Sequence, residues 1–534
     1  MRARTTSPRA VTSRPQHLRE RRARGVSGSR LLGQTMLLAL LGLAPLLASA
    51  NPADDAPVIT RHDVRLGDQE LAYTVEAGRI AIRDVATGEP HGYMFYTAYR
   101  AATRFGPQPR IQRGRQGPGG RPVIFVWNGG PGAPSAWLQF EIVGPKLLQG
   151  KRLVDNADTW LAAADLVMVD PIGTGFSRPT RAAYEPEFYG TLGDVASVTE
   201  FVRCWLIQHD AVDAPVFLAG ESWGAGRAAN VAYALEKRGI HVDGLILISG
   251  GFGLDRPYGS PPLLQALGVV DMASTALYWH RSAPDLGSDP AAVRRAAEHW
   301  VRTTYAPALA HVADLSGAER DRIVAQLARF TGIAPASIDR RTLVVTPHQF
   351  RTGLLRSEGK VLYLLDGRRT SPPSDAGTPQ ILRYLREDLG YRTDLPYLGL
   401  EDLTEGFAPS GTYPKGAGEQ WNYATAPMTA EQVKAAIAAA IASGAGPPQL
   451  GPPLPGIRQA LALDPHLRAL VAVGIYDPYQ QCARGQATED ALPPDLHQAI
   501  TFKCYAGGHA MYLGSASIRA ELSHDVLALV AAAR

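Results

Sequence analysis

A chain of 534 residues, 45% hydrophobic and 19% charged, can bury a large core and still carry an insertion, and its composition is that of a soluble globular protein. Its net charge of +4 is small for this length, and nine of its 54 Lys and Arg fall in residues 1–30, so the rest is slightly acidic and has no basic stripe for nucleic acid. Three cysteines, Cys204, Cys482 and Cys504, exclude a disulfide scaffold.

The chain begins with an arginine-rich segment followed by an apolar run, 31–50, that ends Ala48-Ser49-Ala50. Basic region, apolar region and A-x-A ending predict a signal peptide over 1–50, cut after Ala50, and hence export to the periplasm or beyond. Gly33, Gly42 and Pro45 interrupt the run and favour cleavage over a retained anchor. No later segment has the length and apolarity of a membrane span, so the mature chain is expected to be free of the membrane.

From residue 51 the pattern alternates strand and helix. Residues 71–75, 79–83 and 93–99 read as an opening antiparallel meander, and 122–127 and 166–170 as short apolar strands, with a helix at 159–164. Residues 195–208 have helical periodicity, 216–219 form a strand, 225–234 a helix and 244–249 a strand. The rhythm breaks over 255–460. Pro290 to His311 reads as a helix, Ser316-Gly317-Ala318-Glu319 has capping-box spacing, and Thr429 opens an alanine-rich helix that stops near Gly444. A Pro-rich connector follows, and strands return at 469–474 and 499–505 before a last helix at 518–533. Continuous apolar strands separated by helices predict a mostly parallel sheet covered on both faces. The expected division is a core, 51–254 and 461–534, with a largely helical cap, 255–460, inserted in it.

Gly220-Glu221-Ser222-Trp223-Gly224 stands between an apolar strand and a small-residue helix. G-x-S-x-G in that setting is a nucleophile elbow, and it makes Ser222 the candidate nucleophile. A base and an orienting acid are needed. Asp477 lies just past the 469–474 strand, and His509 lies in the glycine-flanked loop Ala506-Gly507-Gly508-His509-Ala510 after the 499–505 strand. The order Ser222, Asp477, His509 is that of the α/β-hydrolase fold. Read alone, Asp477 would be a turn residue before Pro478, and His509 a solvated loop histidine. The oxyanion hole should combine the N–H of Trp223 with one from the loop Trp127-Asn128-Gly129-Gly130-Pro131-Gly132. Metal or cofactor motifs (H-E-x-x-H, Cys/His clusters, G-x-G-x-x-G in context) are not read in the chain.

Asn128-Gly129-Gly130-Pro131-Gly132, Val169-Asp170-Pro171-Ile172-Gly173-Thr174-Gly175-Phe176-Ser177, Gly220-Glu221-Ser222 and Gly508-His509 together resemble the serine carboxypeptidase family, in order and spacing, from about residue 70 to the C-terminus. The resemblance implies an acyl-enzyme hydrolase that acts on peptides with a free C-terminus. It implies that Asn128, Gly129 and Glu221 grip the substrate carboxylate, and that Gly130 and Trp223 supply the oxyanion N–H groups. The segment from Phe350-Arg351 to Asp366-Gly367-Arg368 looks like that of bacterial members. Trp223 stands where the family usually has tyrosine, and Ala133-Pro134-Ser135 where it usually has Cys-Ser-Ser, which leaves side-chain preference open. Prolyl aminopeptidases share the Gly-Gly-Pro-Gly loop and the Ser-Trp-Gly elbow but usually have His before that loop and lack the Glu before serine. The elbow is also compatible with an esterase, with a carboxypeptidase-like acyltransferase and, were the triad broken, with a non-catalytic protein of hydrolase fold. Cys482 and Cys504 flank the acid and base loops, so a bridge between them is one reading and three free thiols the other.

Overall fold

The computed structural model of the protein describes residues 56–102, 120–254, 258–373, 377–401, 416–443 and 450–532. The expected signal peptide and part of the expected Pro-rich connector lie outside these residues. Twelve strands appear among them: β1 (Val58–Leu66), β2 (Gln69–Arg83), β3 (Pro90–Ala101), β4 (Val123–Trp127), β5 (Lys146–Gln149), β6 (Arg152–Asp155), β7 (Asp165–Val169), β8 (Arg178–Pro179), β9 (Val216–Glu221), β10 (Gly244–Ile248), β11 (Arg468–Gly474) and β12 (Ile500–Tyr505). The main sheet runs β1-β2-β3-β7-β4-β9-β10-β11-β12, with β8 paired to β3. From β7 to β12 every neighbour is parallel, whereas β1, β2 and β3 form an antiparallel edge. This is the α/β-hydrolase fold.

The inner parallel strands β4, β7, β9 and β10 are buried along their whole length, as is β11 beyond Arg468, and their alternating residues feed two separate cores. Phe125, Val167, Leu218 and Leu247 meet Val198, Phe201 and Trp205 of helix α1 (Thr191–Gln208) and Ala225, Ala228 and Ala232 of helix α2 (Trp223–Glu236). Ile124, Leu166, Phe217, Ile246 and Leu470 meet Leu522, Val526 and Val530 of helix α3 (Ala516–Ala532). Period-2 side-chain alternation sends each set to one face. The buried alanines of α2 let that helix approach the sheet closely, which brings its first turn to the strand ends.

Helices fill the interval between β10 and β11, and Val269, Val293, Ile323, Leu327, Phe330 and Leu354 give them a core of their own. Ser316 and Glu319 form the expected capping box on helix Gly317–Thr331. Several elements differ from the sequence reading. Residues 71–75 and 79–83 belong to one strand, β2, which runs straight through Gly78. The 159–164 helix is a single 3₁₀ turn, Trp160–Ala162, with Thr159 as its cap. The 290–311 helix contains a π-helical turn, Val301–Tyr305, just before Pro307, whose missing N–H cannot continue the regular ladder. Strand β1 and the β5–β6 hairpin have no counterpart in that reading. Cys482 and Cys504 form a disulfide with Cα atoms 5.8 Å apart, and Cys204 is free. Among the described residues no helix is long and apolar enough to cross a membrane.

One ion pair ties the two helices behind Ser222 to the loop in front of it. Arg227 on α2 donates from Nε to Asp194 of α1 at 2.6 Å and from Nη1 to the Asn128 carbonyl at 2.8 Å. Both side chains are almost fully out of water, at 1% and 3% exposure, and burial holds the Asp194 carboxyl above its ordinary range despite the guanidinium. Removing one member of such a pair strands the other as a buried, unpaired charge. Arg227→Ala should therefore cost about 3–5 kcal/mol in urea unfolding. Asp194→Asn added to it should recover part of that loss; a single-variant cost under about 1 kcal/mol would contradict the role given to the pair.

Candidate active site

Ser222 sits between the end of β9 and the start of α2 with φ 57° and ψ −124°. A non-glycine residue there is strained, and the surrounding packing must hold it. A Cβ on Gly220 would lie 2.0 Å from the Gly224 carbonyl oxygen, so the turn closes only with glycine at that point. The Ser222 N–H donates to Ile248 O of the neighbouring strand at 2.8 Å.

The strand order explains why the distant residues meet. β4 and β10 flank β9, and β11 and β12 follow β10, so the loops after β4, β9, β11 and β12 emerge at one edge of the sheet. There His509 Nδ1 donates to Asp477 Oδ2 at 2.7 Å, which leaves Nε2 as the free ring nitrogen. Both residues are buried. Burial alone would depress the histidine, but the hydrogen bond and charge of Asp477, with a smaller contribution from Glu221, raise it above its ordinary value. Asp477 is itself oriented by the Tyr479 N–H, 2.8 Å from its other oxygen. Among the described residues Ser222 Oγ makes no hydrogen bond, so the structure shows the His509–Asp477 half of the expected triad as a bonded pair. Serine and histidine loops are joined through β10: Ser249 Oγ donates to His509 O at 2.6 Å. Hydrogen bonds between nucleophile and base are commonly long without substrate and tighten on binding.

The loop after β4 lies directly on the elbow. A Cβ on Gly129 would fall 2.6 Å from both Trp223 N and Glu221 O, so only glycine permits this contact. Trp223 opens α2, and its N–H is one of the helix donors without an intrahelical acceptor. Gly130, with φ 99°, follows in the same loop. Asp170 holds the far side of this loop, accepting from Ser135 N at 2.8 Å and Ser135 Oγ at 2.7 Å.

Glu221 is buried and held by two side chains: Asn128 Nδ2 donates to Oε2 at 2.5 Å, and Tyr512 Oη donates to Oε1 at 2.8 Å. The other end of Asn128 accepts from Leu138 N at 3.0 Å. Burial pushes the Glu221 carboxyl up, against the opposing effects of His509 and the two donors. A second carboxyl, Glu141, stands in the π-helical turn Gln139–Val143, and burial together with the Glu221 charge pushes it up to about 7. Neither Glu141 nor Tyr512 figures among the expected site residues, since neither falls in a recognisable motif. On the other side of Ser222, the Trp223 ring lies edge-on to Trp421 and Tyr423, with centroids 6.0 and 5.5 Å away.

A metal-compatible group also occurs among the described residues. Glu236, His241 and Asp464 bring ligand atoms within 4.8 Å of one another. They lie at the opposite end of the sheet, where β10 and β11 begin, and take no part in the site.

Residues 90–238 match the family model described as serine carboxypeptidase. The pheromone-processing carboxypeptidase kex1 of Aspergillus niger is 29% identical over 217 residues, which is 40% of this chain and 32% of that protein. The pheromone-processing carboxypeptidase KEX1 of Komagataella phaffii is 45% identical over 60 residues, 11% of this chain and 10% of that protein. The chain thus spans about a third, or less, of the length of these curated relatives. Among solved structures it is similar to a highly thermostable carboxyl esterase from Bacillus coagulans, at 13% identity and a TM-score of 0.34, covering 85% of this chain and 98% of that one. Over residues 90–238, then, this chain is similar to the serine carboxypeptidase family.

Proposed function

We propose that the protein is an exported serine carboxypeptidase that releases the last residue of a peptide through an acyl-enzyme. The observation that carries this reading is the buried Glu221, adjacent to the nucleophile and bonded to Asn128, with Glu141 close enough to respond to its charge. An esterase needs no such carboxyl beside its serine. A C-terminal peptidase does, provided the carboxyl keeps its proton and donates it to the substrate carboxylate. The raised pKa values of Glu221 and Glu141 are the condition for that.

In this reading His509 takes the Ser222 proton as Oγ attacks the last peptide carbonyl, and Asp477 stabilises the imidazolium. The N–H groups of Gly130 and Trp223 receive the developing oxyanion. His509 then passes its proton to the departing amino group, and water releases the acyl chain by the same steps. Asn128 Nδ2, the Gly129 N–H and the Glu221 proton hold the terminal carboxylate. The rings of Trp223, Trp421 and Tyr423 suit an apolar side chain next to the scissile bond. In this reading the described residues of the interval between β10 and β11 serve as the cap over this edge. Export rests on the leader at 1–50. The matched relatives are fungal, so kinship with bacterial members rests on the 350–368 segment alone.

Two outcomes follow. Ser222→Ala should keep the fold by circular dichroism and lose activity by a factor on the order of 10⁴ or more; a folded variant with undiminished turnover would remove Ser222 from the mechanism. The second concerns pH. A carboxyl with a raised pKa is protonated below that value and ionises as pH rises through it, so KM for a free-acid peptide should climb as pH rises through the raised range of Glu221. Glu221→Gln donates at every pH and should flatten that climb. His509 must be neutral to act as base, so kcat should rise with pH in both proteins. Superimposable KM profiles for wild type and Glu221→Gln would refute the carboxylate clamp.

A further inference from the structure

A segment of the cap, 363–369, reaches both loops that carry the acid and the base. It folds on itself, with Tyr363 N–H donating to Arg369 O at 2.6 Å and Arg369 N–H to Asp366 O at 3.0 Å. The Trp279 indole N–H anchors it in the cap by donating to Gly367 O at 2.7 Å. Its contacts then divide between the two loops. On the base side, Leu365 O accepts from the His509 N–H at 2.7 Å, and Arg368 Nη1 donates to Ala506 O at 2.9 Å. On the acid side, Gly367 N–H donates to Tyr476 O at 2.9 Å, one residue before Asp477, and the Arg368 guanidinium lies 4.7 Å from the Tyr476 ring centroid. Asp366 aims that guanidinium, accepting from Nε at 3.0 Å and from Nη2 at 2.8 Å.

Arg368 is therefore a side chain that touches both loops at once, and its orientation is set from a third place. A planar fork with five donors can pair bidentately with Asp366 and still reach a carbonyl and cover a ring; an ammonium cannot. Small errors in the placement of a base cost heavily in rate, because the reacting atoms must meet within a few tenths of an ångström. We infer that Arg368, aimed by Asp366, is a positioning residue: the 363–369 strap sets the spacing of the Asp477 and His509 loops and so aims the His509 ring. The inference rests on the carboxypeptidase reading only through the role of base given to His509.

The test compares wild type with Arg368→Ala, Arg368→Met and Arg368→Lys by two readouts. One is kcat and KM on a peptide with a free C-terminus. The other is a ¹⁵N NMR titration of His509, which needs no turnover. The charged groups that face the ring are Asp477 and Glu221, and none of the variants alters them. Expected is a fall in kcat on the order of 10²-fold with KM changed less than about threefold, and a lower His509 pKa as the Asp477 contact loosens. Loss of a nearby cation acting only through its charge would move that pKa the other way. Arg368→Lys should lie nearer Arg368→Met than wild type. Should Arg368→Ala not fold, Arg368→Met, which keeps the stem over Tyr476, carries the test. Wild-type kcat in folded Arg368→Met, or a His509 pKa that is unchanged or raised, overturns the inference. A wild type without peptidase activity whose variants still lower the His509 pKa would refute the function and uphold the strap.

Discussion

The site depends on a carboxyl that the fold has taken out of water. Glu221 ends β9 in the middle of the parallel sheet, where a charge without compensation would be costly. Asn128 and Tyr512 hold it with one hydrogen bond to each oxygen. Each of these partners belongs to a different functional loop. Asn128 begins the turn that lies on the elbow, and Tyr512 follows three residues after His509. The same two hydrogen bonds thus fix the carboxyl, the loop after β4 and the His509 loop relative to Ser222. Contacts that stabilise the fold are the same ones that shape the candidate site.

Behind this arrangement the sheet order does the gathering, and a second layer of contacts does the aiming. Adjacent parallel strands deliver the Ser222, Asp477 and His509 loops to one edge. The loops after β11 and β12 are then tied by backbone bonds from Ile475 N to Tyr505 O and from Tyr476 N to Gly507 O, and by the Cys482–Cys504 disulfide. Arg227 and Asp194 brace the Asn128 carbonyl from the helix side. A loop that supplies a donor or a base is thereby held from at least two directions, which is what a preorganised site requires.

Much of this is legible in the chain because burial leaves a pattern. The central strands are continuous apolar runs, and the elbow and the histidine loop are marked by glycines that their close packing demands. What is not legible has a common physical cause. β1 carries Thr60, Arg61, His62 and Asp63 at the sheet edge, and only Val64 of its nine residues is buried, so no apolar run announces it. β2 reads as two strands because Gly78 looks like a break, yet the strand passes through it. Glu141 lies in a π-helical turn, and no motif marks the charge it shares with Glu221, 80 positions away. Arg368 sits in a cap segment without periodicity, and its partners at 476 and 506 are reached only in three dimensions.

The claim that everything turns on is recognition of a free C-terminal carboxylate by a protonated acid beside the serine. The most direct measurement is mass spectrometry of products from an N-terminally blocked peptide, offered at pH 5–6 as the free acid and as its amide. Stepwise loss of residues from the C-terminus of the free acid, with the amide cleaved far more slowly, is the result the account predicts. Equal cleavage of both, or release of residues only from an unblocked N-terminus, would contradict it.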